Sequence, residues 1–211
     1  MSVRVSSCAW FILSAIAAAG VWLPGCGKSD SEAARIEALR RGGNVEALER
    51  ELADPANVEG GRLAVAAMGS LGPQARPAIE RAMRDNRAVV RESAALAYGR
   101  VTPPQQAAPL AKVARTDPSP VVRAAAVTAL GQNKVYEEME SLLAALEDAD
   151  PLVRRRASDA VARIVGRRYE VYLDGTPEQR REAVAKLREI WPGMKPGTTG
   201  YIDAQRRQAK P

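Results

Sequence analysis

Residues 117–132, DPSPVVRAAAVTALGQ, decide the fold. Ser119 stands where a helix N-cap would, and Pro120 follows at the first helical position, where its missing N–H has no intrahelical partner to lose. Small and apolar residues then recur at helical spacing, and Gly131 reads as the stop that closes the helix.

Versions of this stretch recur along the chain. The segments 85–99, 117–131, 148–165 and 174–187 share one register, in which an Asp lies six residues before an Arg: Asp85 with Arg91, Asp117 with Arg123, Asp148 with Arg154, Asp174 with Arg180. Ala94-Ala95, Ala126-Val127, Ala157-Ser158 and Ala183-Val184 follow each Arg at three and four residues, and Tyr98, Leu130, Val161 and Leu187 at seven. A degenerate earlier copy fits with Gly61 in the Arg place, then Ala64-Val65 and Met68. Asp150 and Thr176 repeat the N-cap, Pro151 and Pro177 the opening proline, and Gln179 completes a capping box with Thr176. Gly99 reads as a stop like Gly131.

Other helices fall between these segments, at residues 73–84, 104–115 and 136–146. The unit is therefore two antiparallel helices of about 31 residues together, and a period of roughly 20–50 residues is the mark of a solenoid. Each recurrent Asp belongs to the turn before its helix, where a carboxylate satisfies orphan N–H groups. Each Arg, one turn in, can reach the turn of its own or the next repeat. These residues read as a ladder that sets repeat register and not as a binding stripe.

The pattern Asp-x-x-x-Val-Val-Arg-x-x-Ala-x-x-Ala-Leu-Gly of residues 117–131 resembles the short HEAT-like repeat of phycobilisome-lyase-type proteins and bacterial scaffold proteins. The resemblance is specific over residues 84–166 and weaker over 43–83 and 167–191, where Glu59-Gly60-Gly61 and Glu178-Gln179 break the motif. Solenoid ends meet water and are expected to be atypical, so both read as caps. The resemblance implies an all-α short solenoid of antiparallel helix pairs winding as a right-handed superhelix. Among its implied functions is bilin lyase-like or other ligand handling.

Composition agrees with the class. Aromatic residues are 4% of the chain, with a single Phe, and a core of Ala, Val and Leu suits closely spaced helices. The chain has no histidine, which removes the commonest general base and metal ligand and every Ser-His or Cys-His nucleophile. No phosphate-cradling glycine loop or isolated carboxylate pair stands out, so no catalytic residue, cofactor or metal site is expected, and the chain reads as not an enzyme. The net charge of +6 comes from interspersed signs along helices, as on an ordinary solvated surface.

The two cysteines, Cys8 and Cys26, both lie near the N-terminus. Arg4, a nearly charge-free run over residues 8–23 and Leu23-Pro24-Gly25-Cys26 resemble a bacterial lipoprotein signal, with cleavage before a diacylated Cys26. Leu23, Gly25 and Cys26 match the lipobox, and Pro24 departs from it. The expected organisation is a signal peptide at 1–25, a flexible lipidated linker at 26–32, the solenoid at 33–191 and an extended or disordered tail at 192–211. Ser31 or Asp30 would cap the first helix, Gly42-Gly43 would stop it, and Asn44 would cap the next. The protein would be exported and held on a bacterial membrane, on the periplasmic side or the outer membrane.

The surface left for a partner lies off the consensus. Ala124, Ala125 and Thr128 are bland, whereas Arg155, Arg156, Asp159 and Arg163, continuing into Arg167 and Arg168, form the candidate partner-binding surface, with an Asp159–Arg163 pair expected one turn apart. Acidic protein surfaces, anionic polymers and lipid headgroups are the chemistries such a cluster could meet. Tyr169, Tyr172 and Trp191 read as packing against the end of the stack. The function expected is a membrane-tethered, non-catalytic scaffold for a protein partner in the cell envelope, monomeric and without nucleic acid.

Overall fold

The computed structural model describes residues 26–166, 168–169 and 173–194. Within them the chain forms ten α-helices and no strand: α1 (Cys26–Arg41), α2 (Val45–Leu52), α3 (Val58–Met68), α4 (Arg76–Ala82), α5 (Ala88–Val101), α6 (Ala108–Thr116), α7 (Pro120–Gln132), α8 (Met139–Ala145), α9 (Pro151–Val165) and α10 (Pro177–Ile190). The expected signal peptide at 1–25, Arg167, Tyr172 and residues 195–211 lie outside the described residues. No described helix is long and apolar enough to cross a membrane.

The helices stack in two layers, as a solenoid does. The second helices of successive units, α3, α5, α7 and α9, pack on one another in order, and α2, α4, α6 and α8 each pack on the second helix of their own unit. The expected first helices at 73–84, 104–115 and 136–146 are each split: 3-10 turns at Pro73–Ala75, Pro104–Gln106 and Tyr136–Glu138 lead into α4, α6 and α8. One continuous core joins the layers, with Leu48, Met68, Ile79, Leu110, Leu130, Leu142 and Leu143 fully shielded from water.

The turn chemistry follows the sequence closely. Asn44 and Asn57 accept from the N–H of Ala47 and Gly60, both at 2.9 Å, and cap α2 and α3. Asp150 caps α9 through the N–H of Leu152 at 2.8 Å, and Thr176 and Gln179 form the capping box of α10. Ser119 occupies the N-cap place, but its hydroxyl makes no cap hydrogen bond; its N–H donates to the Asp117 carboxylate at 2.9 Å. Gly43 and Gly166, at φ 67° and 78°, supply the left-handed turns that follow α1 and α9.

Four expectations need correction. Helix α1 begins at Cys26, ahead of Asp30 and Ser31, so neither of those residues is its N-cap. Gly99 and Gly131 do not stop helices; both lie inside α5 and α7. Their role is close approach: a Cβ on Gly99 would stand 2.8 Å from the Ala129 Cβ, and one on Gly131 would stand 2.5 Å from the Ala160 Cβ. Gly69 meets Ala97 in the same way, so three successive second-layer contacts are glycine against alanine.

The third correction concerns α10. Its Asp174-to-Arg180 register suggested another second-layer helix, yet α10 packs on α8 and so continues the first layer. Local capping chemistry resembles that of α5, α7 and α9 because it marks a helix start, and it carries no information about layer. The last concerns Asp159, whose partner is Arg168 at 2.9 Å and not Arg163, because the chain after Gly166 folds back along α9.

Candidate partner-binding site

The ladder is built first, because it decides which arginines are free. Arg91 holds the Asp117 carboxylate with two donors, at 2.8 and 3.0 Å, while its third nitrogen donates to the carbonyls of Asp85 and Asn86. Arg123 repeats this on Asp148, at 2.9 and 2.8 Å, and on the carbonyl of Asp117 at 2.9 Å. The six-residue spacing thus records a bond to the Asp carbonyl of the same turn, and the carboxylate belongs to the arginine of the preceding repeat. Each carboxylate also accepts from the N–H two residues on, at Arg87, Ser119 and Asp150.

Electrostatics follow from this geometry. The Asp117 and Asp148 hydrogen bonds raise the pKa values of Arg91 and Arg123. Burial pushes the Asp148 carboxyl up, but the Arg123 guanidinium, the Asp150 N–H and the charges of Arg123 and Arg154 outweigh it and leave it lowered. Asp85 is lowered chiefly by its hydrogen bonds from Arg87.

Both ends of the ladder are improvised. Where Gly61 leaves no side chain, Arg87 reaches back into the vacant place and donates to the carbonyls of Leu52, Asp54 and Asn57 while pairing with Asp85 at 2.8 Å. At the other end Arg154, 8% exposed, finds no carboxylate among the described residues and donates to the Leu173 carbonyl at 2.8 Å. The Arg180 side chain donates to the Gly175 carbonyl, and its buried Nε has no partner among the described residues.

With the ladder spoken for, the surface cations can be sorted. Most exposed arginines off the ladder are neutralised locally: Arg35 by Glu51, Arg40 and Arg41 by Glu37, Arg62 by Glu59, Arg81 by Glu49, Arg188 by Glu140 and Glu147. Helix α9 differs. Leu152, Arg155, Arg156, Asp159 and Arg163 fall on its solvent face by helical spacing, and Arg155, Arg156 and Arg163 are exposed and make neither an ion pair nor a hydrogen bond among the described residues. Arg168 is consumed by Asp159, which leaves three free guanidinium groups beside Leu152, itself 38% exposed. On α7 the equivalent face carries Val121, Ala124, Ala125, Thr128 and Gln132, with both alanines buried and the Thr128 hydroxyl donating to the Ala124 carbonyl.

The expected aromatic packing is present in part. Trp191 is buried and stacks on Tyr136 with ring centroids 6.1 Å apart, and Tyr169 packs half-buried against the core. Tyr136 was not anticipated from sequence, since nothing local links residues 136 and 191. Among the described residues no group of three or more Cys, Asp or Glu could hold a metal ion.

The profile of HEAT repeats matches residues 45–131 and 107–191. The chain belongs to the HEAT-repeat family. Among solved structures it is similar to "the complex of CpcE and CpcF of phycocyanin lyase from Nostoc sp. PCC7120", with a TM-score of 0.50 and 20% identity over 78% of this chain and 98% of that one. At that identity the likeness is one of fold. No match was found among curated protein sequences. These findings overturn the expectation that this HEAT-repeat chain is not an enzyme. A chain of the same fold serves a phycocyanin lyase, so lack of a histidine nucleophile does not remove catalysis from consideration.

Proposed function

We propose that this HEAT-repeat chain is a scaffold that holds an acidic protein surface against α9 and is tethered to a bacterial membrane through a lipid on Cys26. The observation that carries the partner chemistry is the set of three exposed, unpaired arginines, Arg155, Arg156 and Arg163, on a surface where most other arginines have neighbouring carboxylates. Guanidinium groups without an internal acceptor offer bidentate contacts to carboxylates at no loss of existing ion pairs. Crosslinking in native membranes, comparing the unaltered chain with Arg155→Glu/Arg156→Glu/Arg163→Glu, is the direct test. The charge-reversed chain is expected to lose its crosslinked partner while keeping its melting temperature, and capture of the same partner by both chains would sink the assignment.

The tether is read from Leu23-Pro24-Gly25-Cys26. Acyl chains contribute about 0.8 kcal/mol per buried CH₂, and more than one chain makes attachment stable. Cys26→Ala is expected to move the protein out of the membrane fraction; unchanged fractionation would remove the lipid from the account.

A second reading is a bilin lyase-like activity, favoured by the likeness in fold to the phycocyanin lyase structure over 98% of that chain. Mixing the protein with a free bilin and an acceptor apoprotein tests it, with a covalent, coloured product expected only when this chain is present.

A further inference from the structure

Among the described residues five large hydrophobic side chains are exposed, and three of them share one register. Val89, Val121 and Leu152, exposed by 37%, 42% and 38%, each stand two residues before a ladder arginine, Arg91, Arg123 or Arg154. Helices α5, α7 and α9 pack on one another in that order, so the three side chains form a row across neighbouring helices of the second layer. On α3 the same register carries Glu59, which pairs with Arg62, and the row ends there.

The face beside the row has little need of water. By helical spacing Val121 shares its face with the buried Ala124 and Ala125, and Val89 shares its own with Ser93 and the half-buried Leu96. The Ser93 and Thr128 hydroxyls are turned inward, donating to the carbonyls of Arg62 and Ala124 at 3.1 and 2.8 Å. Single exposed aliphatic residues are ordinary, whereas a row of them beside a shielded apolar floor marks a contact surface.

Charge says what chemistry fits that surface. Arg100, eleven residues after Val89, is exposed and makes neither an ion pair nor a hydrogen bond among the described residues. Arg163 stands eleven residues after Leu152 and is equally free, as are Arg155 and Arg156 between them. Against these four arginines the same faces of α5, α7 and α9 offer one unpaired carboxylate, Glu92, since Asp159 is held by Arg168.

The spacings suit a helix. Eleven helical residues put about 16 Å between the aliphatic row and the Arg100–Arg163 edge, room for a helix about 10–12 Å across. Packed helices such as α5, α7 and α9 lie about 8–10 Å apart, and residues seven apart on one helix face are about 10.5 Å apart. A β-strand repeats its face every two residues, at about 6.7 Å, and falls out of step with the row.

We infer that an acidic, amphipathic helix of a partner protein lies across α5, α7 and α9, between the Val89–Val121–Leu152 row and the Arg100–Arg163 edge. Its apolar side chains meet the row at two-turn intervals, and its carboxylates meet the arginines. This rests on the reading of α9 as a surface for an acidic protein and names the form that the partner takes.

The test places the photo-crosslinker p-benzoylphenylalanine in the full-length chain, in place of Val89, Val121 or Leu152 in turn. The chains are irradiated in intact native cells and the crosslinked peptides are sequenced. One partner segment is expected, richer in Asp and Glu than in Lys and Arg, with the three attachment points in order and about seven residues apart. Val121→Asp should lower the yield from position 152 about tenfold and leave the melting temperature unchanged, because this side chain is exposed. Attachment to residues 195–211 or to a second copy of this chain would overturn the inference. So would points about three residues apart, as on a polyproline segment, no attachment at all, or an unchanged yield with Val121→Asp. Failure of the row and failure of the α9 reading are distinguishable. A partner lost from the Arg155→Glu/Arg156→Glu/Arg163→Glu chain, with no attachment at positions 89 and 121 of the unaltered one, sinks the row alone. Three ordered attachment points that persist on the charge-reversed chain sink the α9 reading, and the acidic partner with it.

Discussion

The middle of the stack and its two ends meet the same structural need by different means. In the middle, Arg91 and Arg123 each bind their own turn with one nitrogen and the next repeat's carboxylate with the other two. At the start the guanidinium comes from Arg87 in the following turn, and at the finish a carbonyl of Leu173 stands in for the carboxylate. What the fold requires between repeats is a planar donor cluster facing carbonyls and an acceptor across the gap. Which residue supplies either half is open, provided that the groups arrive in the same place. The motif is therefore strict where repeats are flanked on both sides and loose where one side is solvent.

The largest contrast between middle and end lies in the glycine register. A Cβ on Gly131 would sit 2.5 Å from the Ala160 Cβ and 2.7 Å from its Cα, so α7 and α9 must move apart to admit one. Gly131→Val is expected to cost about 3 kcal/mol or more, since the obstruction is backbone and cannot rotate away. In a chain of this size that is a fall of roughly 6–12 °C in melting temperature. Ala162→Val, at the same register but with no helix beyond it in the monomer, is expected to stay within about 0.5 kcal/mol. Equal effects on thermal unfolding would show that the end is packed like the middle.

The next contrast is in the ladder. Arg123 and Asp148 expose only 16% and 13% of their side chains, so Arg123→Ala strands a largely shielded carboxylate and two carbonyls. A loss of about 2 kcal/mol is expected, below the figure for a fully buried pair because water still reaches this one. Arg87→Ala should behave alike at the start of the stack. There the substitution can be answered: Gly61→Arg in the Arg87→Ala background restores the consensus residue to a place whose nearest neighbours were the Arg87 nitrogens, 3.3 and 3.4 Å from a Cβ. Recovery of at least half the lost stability in denaturant titration is expected, and none would mean that position 61 cannot reach Asp85.

How much of this was legible in the sequence divides along the same line. The turns were readable because capping is local: Asn44, Asp150, Thr176 and Gln179 sit within three or four residues of the N–H groups they serve. The ladder was readable as a register because its Asp and Arg recur, although the sequence could not say which repeat each carboxylate served. The role of Arg87 was invisible, since the carbonyls that it holds lie 30 to 35 residues away and no other repeat has an Arg in that place. The layer of α10 was misread because a Pro-capped helix start looks the same in either layer. At the candidate site the run of α9 arginines was plain, but their freedom was not. It depended on Arg168 folding back onto Asp159, nine residues away across a turn set by Gly166.

The smallest expected effect is in acid. Asp148 in the middle and Asp85 at the start both have carboxyl pKa values held below the ordinary range, by different balances of burial and arginine contact. A carboxyl whose folded-state pKa is depressed contributes stability that is fully present above its unfolded value near pH 4 and lost as pH falls through the folded value. The denaturation midpoint should thus hold level from neutrality to about pH 5 and decline below about pH 4. Asp85→Asn and Asp148→Asn should each start lower at neutral pH and decline less steeply, because the titrating partner is gone. Arginine does not titrate in this range, so no matching decline belongs on the alkaline side from the ladder. If Asp148→Asn flattened the acid limb and Asp85→Asn did not, the improvised rung at Arg87 would be a mechanical substitute for the missing arginine and not an electrostatic one.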